Sequence, residues 1–161
     1  MRLNEQLVWS GARGRVGVAI TDQRVLAVGV GSAAWQTAGR QRDETLPGAA
    51  QLGARVALVV TSKRVLGFDG GSGNLVESAL GVREEVRAVR VGENVAVVVT
   101  DRRALGLSPV AGGFFPVKLQ LEERLESVTA GANLAPVTTN RRVLLFRTPT
   151  GSWEERRRTL H

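Results

Sequence analysis

Four short apolar segments of the chain each end at a threonine that begins a polar turn. The threonines recur every 39 or 40 residues, at Thr21, Thr61, Thr100 and Thr139. Each turn continues with Asp, Ser or Asn and contains an arginine three residues after the threonine; these are Arg24, Arg64, Arg103 and Arg142. A fixed period in this range indicates a repeat architecture.

The segments on either side of each turn have the composition of β-strands. Residues 16–20, 56–60 and 95–99 are apolar throughout and rich in valine, which predicts strands buried on both faces. Strand-like segments also follow the turns, at residues 24–28, 64–68, 103–107 and 142–146. Because Asp, Ser and Asn side chains bond the backbone in turns, each pair of segments is predicted to form a hairpin.

Two further strands complete each repeat. A large apolar residue fourteen positions after each threonine marks an outer strand; these residues are Trp35, Leu75, Phe114 and Trp153. An inner strand precedes each hairpin, over residues 7–11, 47–52, 86–91 and 125–130. We call this unit of inner, second, third and outer strands a blade. Pro116 suits an outer edge, whereas Pro136 in a second strand predicts a bulge or local distortion.

The repeat predicts an all-β fold, a β-propeller of four blades with four antiparallel strands each. A single such sheet leaves two faces to be covered, and radial packing of sheets covers both. The predicted domain spans 1–161, with blades at approximately 3–41, 42–81, 82–120 and 121–161. Leu3 and Leu160 occupy the same repeat position as Val82 and Leu121. We therefore expect four whole units, each blade formed from contiguous chain.

The blades resemble those of β-propellers of the pyrroloquinoline-quinone type (tryptophan-docking) and of the WD-repeat kind. Segments 56–61, 65–69 and 72–75 carry the resemblance, together with Thr150-Gly151 before Trp153 in the fourth blade. The docking tryptophan is present as Trp35 and Trp153, and the Trp-Asp pair of WD repeats is absent. The resemblance implies the architecture alone, and no cofactor is expected.

Related propellers usually hold seven or eight blades, so two assemblies stay open for four repeats. One is a four-bladed monomer, and the other is a homodimer that closes an eight-bladed ring.

The chain has no apolar run long enough to cross a bilayer and no signal-like start, and it lacks cysteine. We expect a cytoplasmic protein without membrane contact.

The residue inventory argues against catalysis. The only histidine is the terminal His161, and the chain has neither cysteine nor tyrosine. A Ser-His-Asp or Cys-His triad and a His/Cys metal cluster are therefore not expected. The neighbouring acids Glu84-Glu85, Glu122-Glu123 and Glu154-Glu155 point apart on a strand and are interpreted as solvated. The Gly-rich segment 69–74 is interpreted as a plain turn.

The net charge of +7, carried mostly by arginine, indicates that anionic partners need consideration. Seven basic residues recur at the hairpins and are candidate binding residues: Arg24, Arg64, Arg103, Arg142, Lys63, Arg102 and Arg141. Repetition would place them on one face, where they could bind an anion or nucleic acid. The interpretation we favour is that the arginines pair with glutamates of the preceding connection, namely Glu5, Glu44, Glu84 and Glu122-Glu123.

Trp35, Phe114 and Trp153 are candidate aromatic residues between blades, for packing or for a carbohydrate site. The function predicted from the sequence is a non-enzymatic scaffold that binds a protein partner through the hairpin face. A lectin with sites between blades and an anion or nucleic-acid binder are the alternatives.

Overall fold

The computed structural model describes residues 3–32 and 34–158 of the chain. The described residues form sixteen strands and no helix, and every strand pair is antiparallel. The strands make four separate sheets of four consecutive strands. The predictions of an all-β chain and of blades built from contiguous chain are confirmed. Leu160 and His161 lie outside the described residues.

The strands of the first two blades alternate with short turns. Blade one contains β1 (Leu7–Arg13), β2 (Val16–Thr21), β3 (Arg24–Gly29) and β4 (Gln36–Gly39). Blade two contains β5 (Gln51–Leu52), β6 (Val56–Val60), β7 (Arg64–Asp69) and β8 (Leu75–Ala79). These two sheets lie in one compact unit, Met1–Gly81.

The other two blades repeat the order. Blade three contains β9 (Val86–Val91), β10 (Ala96–Thr100), β11 (Arg103–Ser108) and β12 (Gly113–Lys118). Blade four contains β13 (Leu125–Val128), β14 (Leu134–Thr139), β15 (Arg142–Arg147) and β16 (Ser152–Arg157). They form the second compact unit, Val82–His161. The single domain over 1–161 and the blade limits stay predictions.

The burial of the second strands agrees with the prediction in blades two and three and departs from it in blade one. Every residue of β10 is buried, and β6 is buried except at its last residue. In β2, Val16, Val18 and Ile20 are buried, whereas Gly17 and Ala19 are half-buried. The expectation of two buried faces is therefore wrong for β2, whose small residues alternate with its large ones.

The inner strands are the least regular elements. A register shift occurs next to the threonine in blades one, three and four. The inner strand of blade two was expected over 47–52, but β5 holds only Gln51 and Leu52. Pro47 has no N–H for a ladder and Gly48 weakens a strand, which explains the short element.

The two prolines in strands behave differently. Pro116 lies in β12, the edge strand of its sheet, as predicted. Pro136 produces no bulge in β14, which stays in register with β15 through the pair Pro136↔Leu145. The predicted bulge at Pro136 is therefore wrong, whereas the predicted alternative, a local distortion in the fourth blade, is confirmed. The consequence falls on the inner strand: Thr129 N–H still donates to Pro136 O at 3.1 Å, but β13 ends at Val128. A proline cannot return the second bond of such a pair.

Each compact unit has its own apolar core between its two sheets. In the first unit Val18, Ile20, Val59 and Phe68 belong to one buried cluster. In the second unit the cluster contains Val97, Val137, Leu144 and Phe146 among others. Phe146 is fully buried, and its ring lies against Gly106 of the neighbouring sheet. The cores hold the sheets so that the hairpin turns and the preceding connections meet in every blade.

Candidate functional site

The repeated threonine is the centre of a hydrogen-bond cluster in all four blades. Its Oγ1 accepts from the backbone N–H groups two and three residues later, at 3.0–3.2 Å. The same hydroxyl donates to a glutamate at 2.6–2.7 Å; the glutamates are Glu5, Glu44, Glu84 and Glu123. The threonine therefore closes the hairpin and also fastens it to the connection before the blade.

The repeated arginine binds the same carboxylate with two nitrogens. Its Nε donates at 2.8–2.9 Å to the oxygen that accepts from the threonine. Its Nη2 donates at 3.0–3.2 Å to the other oxygen. This paired geometry is the strong form of the arginine–carboxylate interaction. The favoured interpretation, in which the four arginines pair with glutamates of the connections, agrees with this geometry.

Arg64 and Arg142 also reach the blade that precedes their own. Nη2 of Arg64 donates to Gly39 O and Nη2 of Arg142 donates to Lys118 O, both at 2.7 Å. The Nη1 atoms donate to Glu77 and Glu155, which stand on the outer strands β8 and β16. All three nitrogens of each guanidinium are thus occupied, so these two arginines stabilise the sheet pair in their units.

The buried ion pairs remain charged. Burial alone would raise the pKa of Glu44, but the bonds from Arg64, the Gln41 N–H and the Thr61 hydroxyl outweigh it and hold that pKa below its usual value. Burial likewise acts to raise the pKa of Glu123, and Arg142, Thr139 and the Gln120 N–H lower it on balance. The surroundings therefore favour the ionised carboxylates, because every oxygen has donors.

A second pair of hydrogen bonds joins each hairpin to the connection before its inner strand. The residue after the threonine accepts from a backbone N–H of the connection at 2.7–3.0 Å; these residues are Asp22, Ser62, Asp101 and Asn140. Its own N–H donates back to the same connecting residue. The residue before each glutamate has positive φ, between 58° and 65°; these are Asn4, Asp43, Arg83 and Glu122. Sequence reasoning missed this backbone feature, since only Asn and Asp among them favour it.

The other three predicted binding residues lie at the hairpin tips and are exposed. Arg102 Nη2 donates to Val82 O at 2.6 Å, and Lys63 Nζ donates to Arg42 O. Arg141 makes no ion pair or side-chain hydrogen bond with any residue that the structure describes. The seven basic residues therefore divide into four that bind a glutamate of the connection and three that are exposed and form no ion pair within the described residues. Binding of an anion by Lys63, Arg102 and Arg141 stays a prediction.

Three exposed aliphatic residues occupy the equivalent connection of their blades. Leu3, Val82 and Leu121 are 91%, 84% and 88% exposed, and each stands two residues before the glutamate of its connection. We call the hairpin tips and these connections the hairpin face of each blade. In the sequence, Leu3, Val82 and Leu121 indicate the register of the repeat and no site. Their shared position two residues before a repeated acid, in a loop, is the signal that could have identified them.

The predicted aromatic residues have different surroundings. Trp153 donates its indole N–H to Phe115 O at 2.8 Å and packs against Phe146 at a ring distance of 5.0 Å. Phe115, and not the predicted Phe114, provides the ring that stacks on Phe146 from the neighbouring sheet. Trp35 precedes β4 and is 53% exposed. Trp153 is therefore a packing residue between two sheets of one unit.

The paired acids and the Gly-rich turn are engaged in structural bonds. The interpretation of the paired acids as solvated is wrong for Glu84 and Glu123, whose side chains are 2% and 0% exposed and bind the repeated arginines. Glu85 and Glu154 are exposed and pair with Arg87 and Arg147. The Asp69 carboxylate accepts from Arg55, Gly71 N–H and Ser72. Among the described residues there is no group of three His, Cys, Asp or Glu side chains suited to a metal ion. Those residues also form no helix that could span a bilayer.

Comparisons with known proteins identify the fold. No family model matches the chain, and no curated protein matches it in sequence. A fragment of HIRA aligns with a TM-score of 0.52 at 8% identity, over 96% of this chain and 56% of that one. Human WBSCR16 aligns with a TM-score of 0.50 at 13% identity, over 91% and 49%. The chain spans about half the length of these structures.

Prp20p from Saccharomyces cerevisiae, whose structure was reported with its binding properties to Gsp1p and histones, aligns at a TM-score of 0.47 with 12% identity, over 89% of this chain and 44% of that one. The alignments with HIRA and WBSCR16, together with the four sheets of four antiparallel strands, place the chain in the β-propeller fold class. The predicted fold class is confirmed. The pyrroloquinoline-quinone subtype is not distinguished by these likenesses.

Proposed function

We propose that this chain is a non-enzymatic protein-interaction scaffold that binds its partner through the hairpin face. One observation carries the proposal: Leu3, Val82 and Leu121 are almost fully exposed at one repeated position. A single exposed leucine needs no explanation, but an aliphatic residue repeated on the same loop favours a contact surface.

Charge next to these residues suits a protein partner. Arg102 donates to the carbonyl of Val82 itself, so a cation and an exposed aliphatic side chain stand together. Interfaces combine apolar contacts with arginine, and arginine is enriched in them. A partner with apolar side chains next to acidic ones would match this arrangement.

The face is also well ordered for binding. The Thr-Glu-Arg cluster satisfies its buried polar atoms, and no buried side-chain nitrogen or oxygen lacks a partner among the described residues. A pre-organised surface loses less conformational entropy when it binds. The shared β-propeller fold is compatible with this role.

Site-specific crosslinking tests the proposal. A photoreactive residue at Leu121 or Val82 should form a discrete adduct with a cellular protein, and a Leu121→Ser variant should reduce capture by the Val82 probe. Val110 is a matched control because it is 59% exposed in a loop between β11 and β12. If a probe at position 110 formed as much of the same adduct as the probes at Leu121 and Val82, binding through the hairpin face would be contradicted.

Assembly and location are part of the proposal. The two open assemblies predict native masses of 17.2 kDa for a monomer or twice that value for a dimer that closes a ring, and native mass spectrometry distinguishes them. We propose a cytoplasmic setting and no enzymatic activity; fractionation of cells that express the tagged chain tests the location.

A further inference from the structure

Blade four carries two adjoining shallow depressions on its hairpin face, and Asn140 and Arg141 line both. The first is lined by Gln120, Asn140, Arg141, Arg142, Arg157 and Arg158. The second adds Glu122 and Arg124 on the other side of the same two residues. We call the combined surface the basic cleft. Both depressions belong to the second compact unit.

Some charges of the basic cleft are neutralised. Arg142 binds Glu123 and Glu155. Arg158 pairs with Glu126 and donates to Thr139 O. These two guanidinium groups therefore contribute little to an attraction for a further anion.

Three cations of the basic cleft have no such partner. Within residues 3–32 and 34–158, the guanidinium groups of Arg124, Arg141 and Arg157 make no ion pair or hydrogen bond. One carboxylate that lines the cleft, Glu122, opposes them and is exposed. The cleft thus presents an excess of free guanidinium donors, which match carboxylate geometry with two parallel bonds.

The register of blade four concentrates this charge. Arg157 of β16 stands directly opposite Arg142 of β15, and like charges at such a position are destabilising. Blades one and two place Gly39 and Ala79 opposite their arginines, whereas blade three places Lys118 opposite Arg103. Blades three and four therefore retain a cation where a small neutral residue is sufficient for the fold, and in blade four this cation lines the cleft.

We propose that the basic cleft binds an acidic segment of a protein partner. This inference rests on the proposed scaffold function and names the chemistry of its partner. Of the three free guanidinium groups, Arg157 lines the first depression, Arg124 lines the second, and Arg141 lines both. An extended chain with carboxylates at successive positions spans both depressions. Leu121, 88% exposed and adjacent in sequence to Glu122, offers an apolar contact beside the charges.

Fluorescence anisotropy with a defined probe tests the proposal. The probe is a labelled octapeptide of alternating leucine and glutamate, and its control replaces each glutamate with glutamine. Arg141→Glu and Arg157→Glu should each weaken binding of the glutamate probe at least about tenfold, since a lost charged hydrogen bond has this effect. The glutamine probe should bind at least about tenfold more weakly to the unchanged protein.

Arg90→Glu is the matched control variant. Arg90 is exposed on β9, donates only to Val89 O in the described structure and does not line the cleft, so the same change of charge should have less than a twofold effect. Equal losses from Arg90→Glu and Arg141→Glu would overturn the proposal. Tighter binding of an eight-nucleotide oligothymidylate that displaces the peptide would assign the cleft to nucleic acid and overturn it as well.

The crosslinking test of the scaffold stays separate from this experiment. If the peptide does not bind while the Leu121 probe still captures a partner, the acidic-segment inference fails and the scaffold remains. If the Leu121 and Val82 probes capture nothing above the control position, the scaffold itself fails.

Discussion

Thr139 Oγ1 donates to Glu123 Oε2 at 2.6 Å, and the same Oε2 atom accepts a second hydrogen bond from Arg142 Nε at 2.9 Å. One carboxylate oxygen therefore holds the hairpin hydroxyl and the guanidinium together. The Glu123 side chain is inaccessible to solvent and Arg142 is 7% exposed. A buried pair of this kind is costly to break from one side, because the remaining charge stays out of water.

The two glutamates that bind Arg142 should have unequal effects on stability. Glu123→Gln should lower the free energy of unfolding by about 3 kcal/mol, since it removes the negative charge that compensates the buried Arg142 guanidinium and turns one acceptor oxygen into a donor NH2 group. Glu155 is 50% exposed, so Glu155→Gln should cost less than about 1 kcal/mol. Urea unfolding of both variants measures the difference. Equal costs would show that burial does not set the strength of these pairs.

The hydroxyl of Thr139 should matter more than its methyl group. Thr139→Val keeps the shape but removes the donor to Glu123 and the acceptor for two backbone N–H groups. We expect a loss of about 1–3 kcal/mol, as for buried groups left without a partner. Thr139→Ser keeps the hydroxyl and should recover most of that loss in thermal unfolding. A valine variant as stable as the serine variant would contradict the role of the hydrogen bonds.

Acid should destabilise the fold within a defined pH range. The folded-state pKa values of Glu44, Glu123 and Asp69 lie below their usual values. A lowered folded pKa means that the unfolded chain binds more protons, so stability is complete above the unfolded pKa of about 4 and falls as the pH drops through the folded values.

Urea midpoints should therefore be constant between about pH 5 and 8 and should fall below about pH 4. Glu123→Gln should show a smaller fall than the unchanged protein, because one of the three carboxyl groups no longer titrates. An identical fall in both proteins would locate the acid sensitivity elsewhere.

The positive φ before each glutamate offers a stabilising substitution. Arg83 has φ of 61° although a long side chain disfavours this region, whereas Asn4 occupies the equivalent position of blade one. Arg83→Asn should raise the free energy of unfolding by about 0.5–1 kcal/mol, part of the ordinary cost of the left-handed region. Arg87→Asn, in the regular strand β9, is the control and should give no increase. A decrease for Arg83→Asn would contradict this account.

Packing between β11 and β15 leaves no room for a methyl group at Gly106. A Cβ atom there would lie 2.5 Å from the Phe146 ring, so Gly106→Ala should cost about 1–3 kcal/mol through overpacking. Gly113→Ala is the matched control, because nothing lies within 4 Å of a Cβ atom at that position. Thermal unfolding should show a large loss for the first variant and no loss for the second. Equal midpoints would mean that the sheets separate easily.

The sequence was sufficient for the repeat, the hairpins and the fold class, because the Thr-to-Arg spacing and the valine-rich strands are local signals. The pairing with glutamates could be foreseen from charge and order along the chain. The sequence did not indicate which of two adjacent acids would bind the repeated arginine. Glu84 and Glu123 do so, whereas Glu85 pairs with Arg87 instead. That choice depends on the backbone conformation of the connection.

Other departures have tertiary causes. The effect of Pro136 appears on the neighbouring strand β13, which no local pattern in β14 indicates. The exposed position of Leu121 depends on where the connection meets the hairpin. The basic cleft requires Arg141 of the hairpin turn and Arg157 of β16 to come together, a proximity set by the register of β15 and β16.

The glutamate that holds each hairpin precedes the first strand of its own sheet. Arg64 and Arg142 add bonds to the carbonyl groups of Gly39 and Lys118, the last residues of β4 and β12. A segment that is duplicated or transplanted as a unit must therefore begin in the connection, ahead of the first strand of its sheet. A duplication or transplant with its junction between Glu44 and Gln51 would separate Arg64 from its counter-ion, whereas a junction ahead of Gln41 transfers the pair intact.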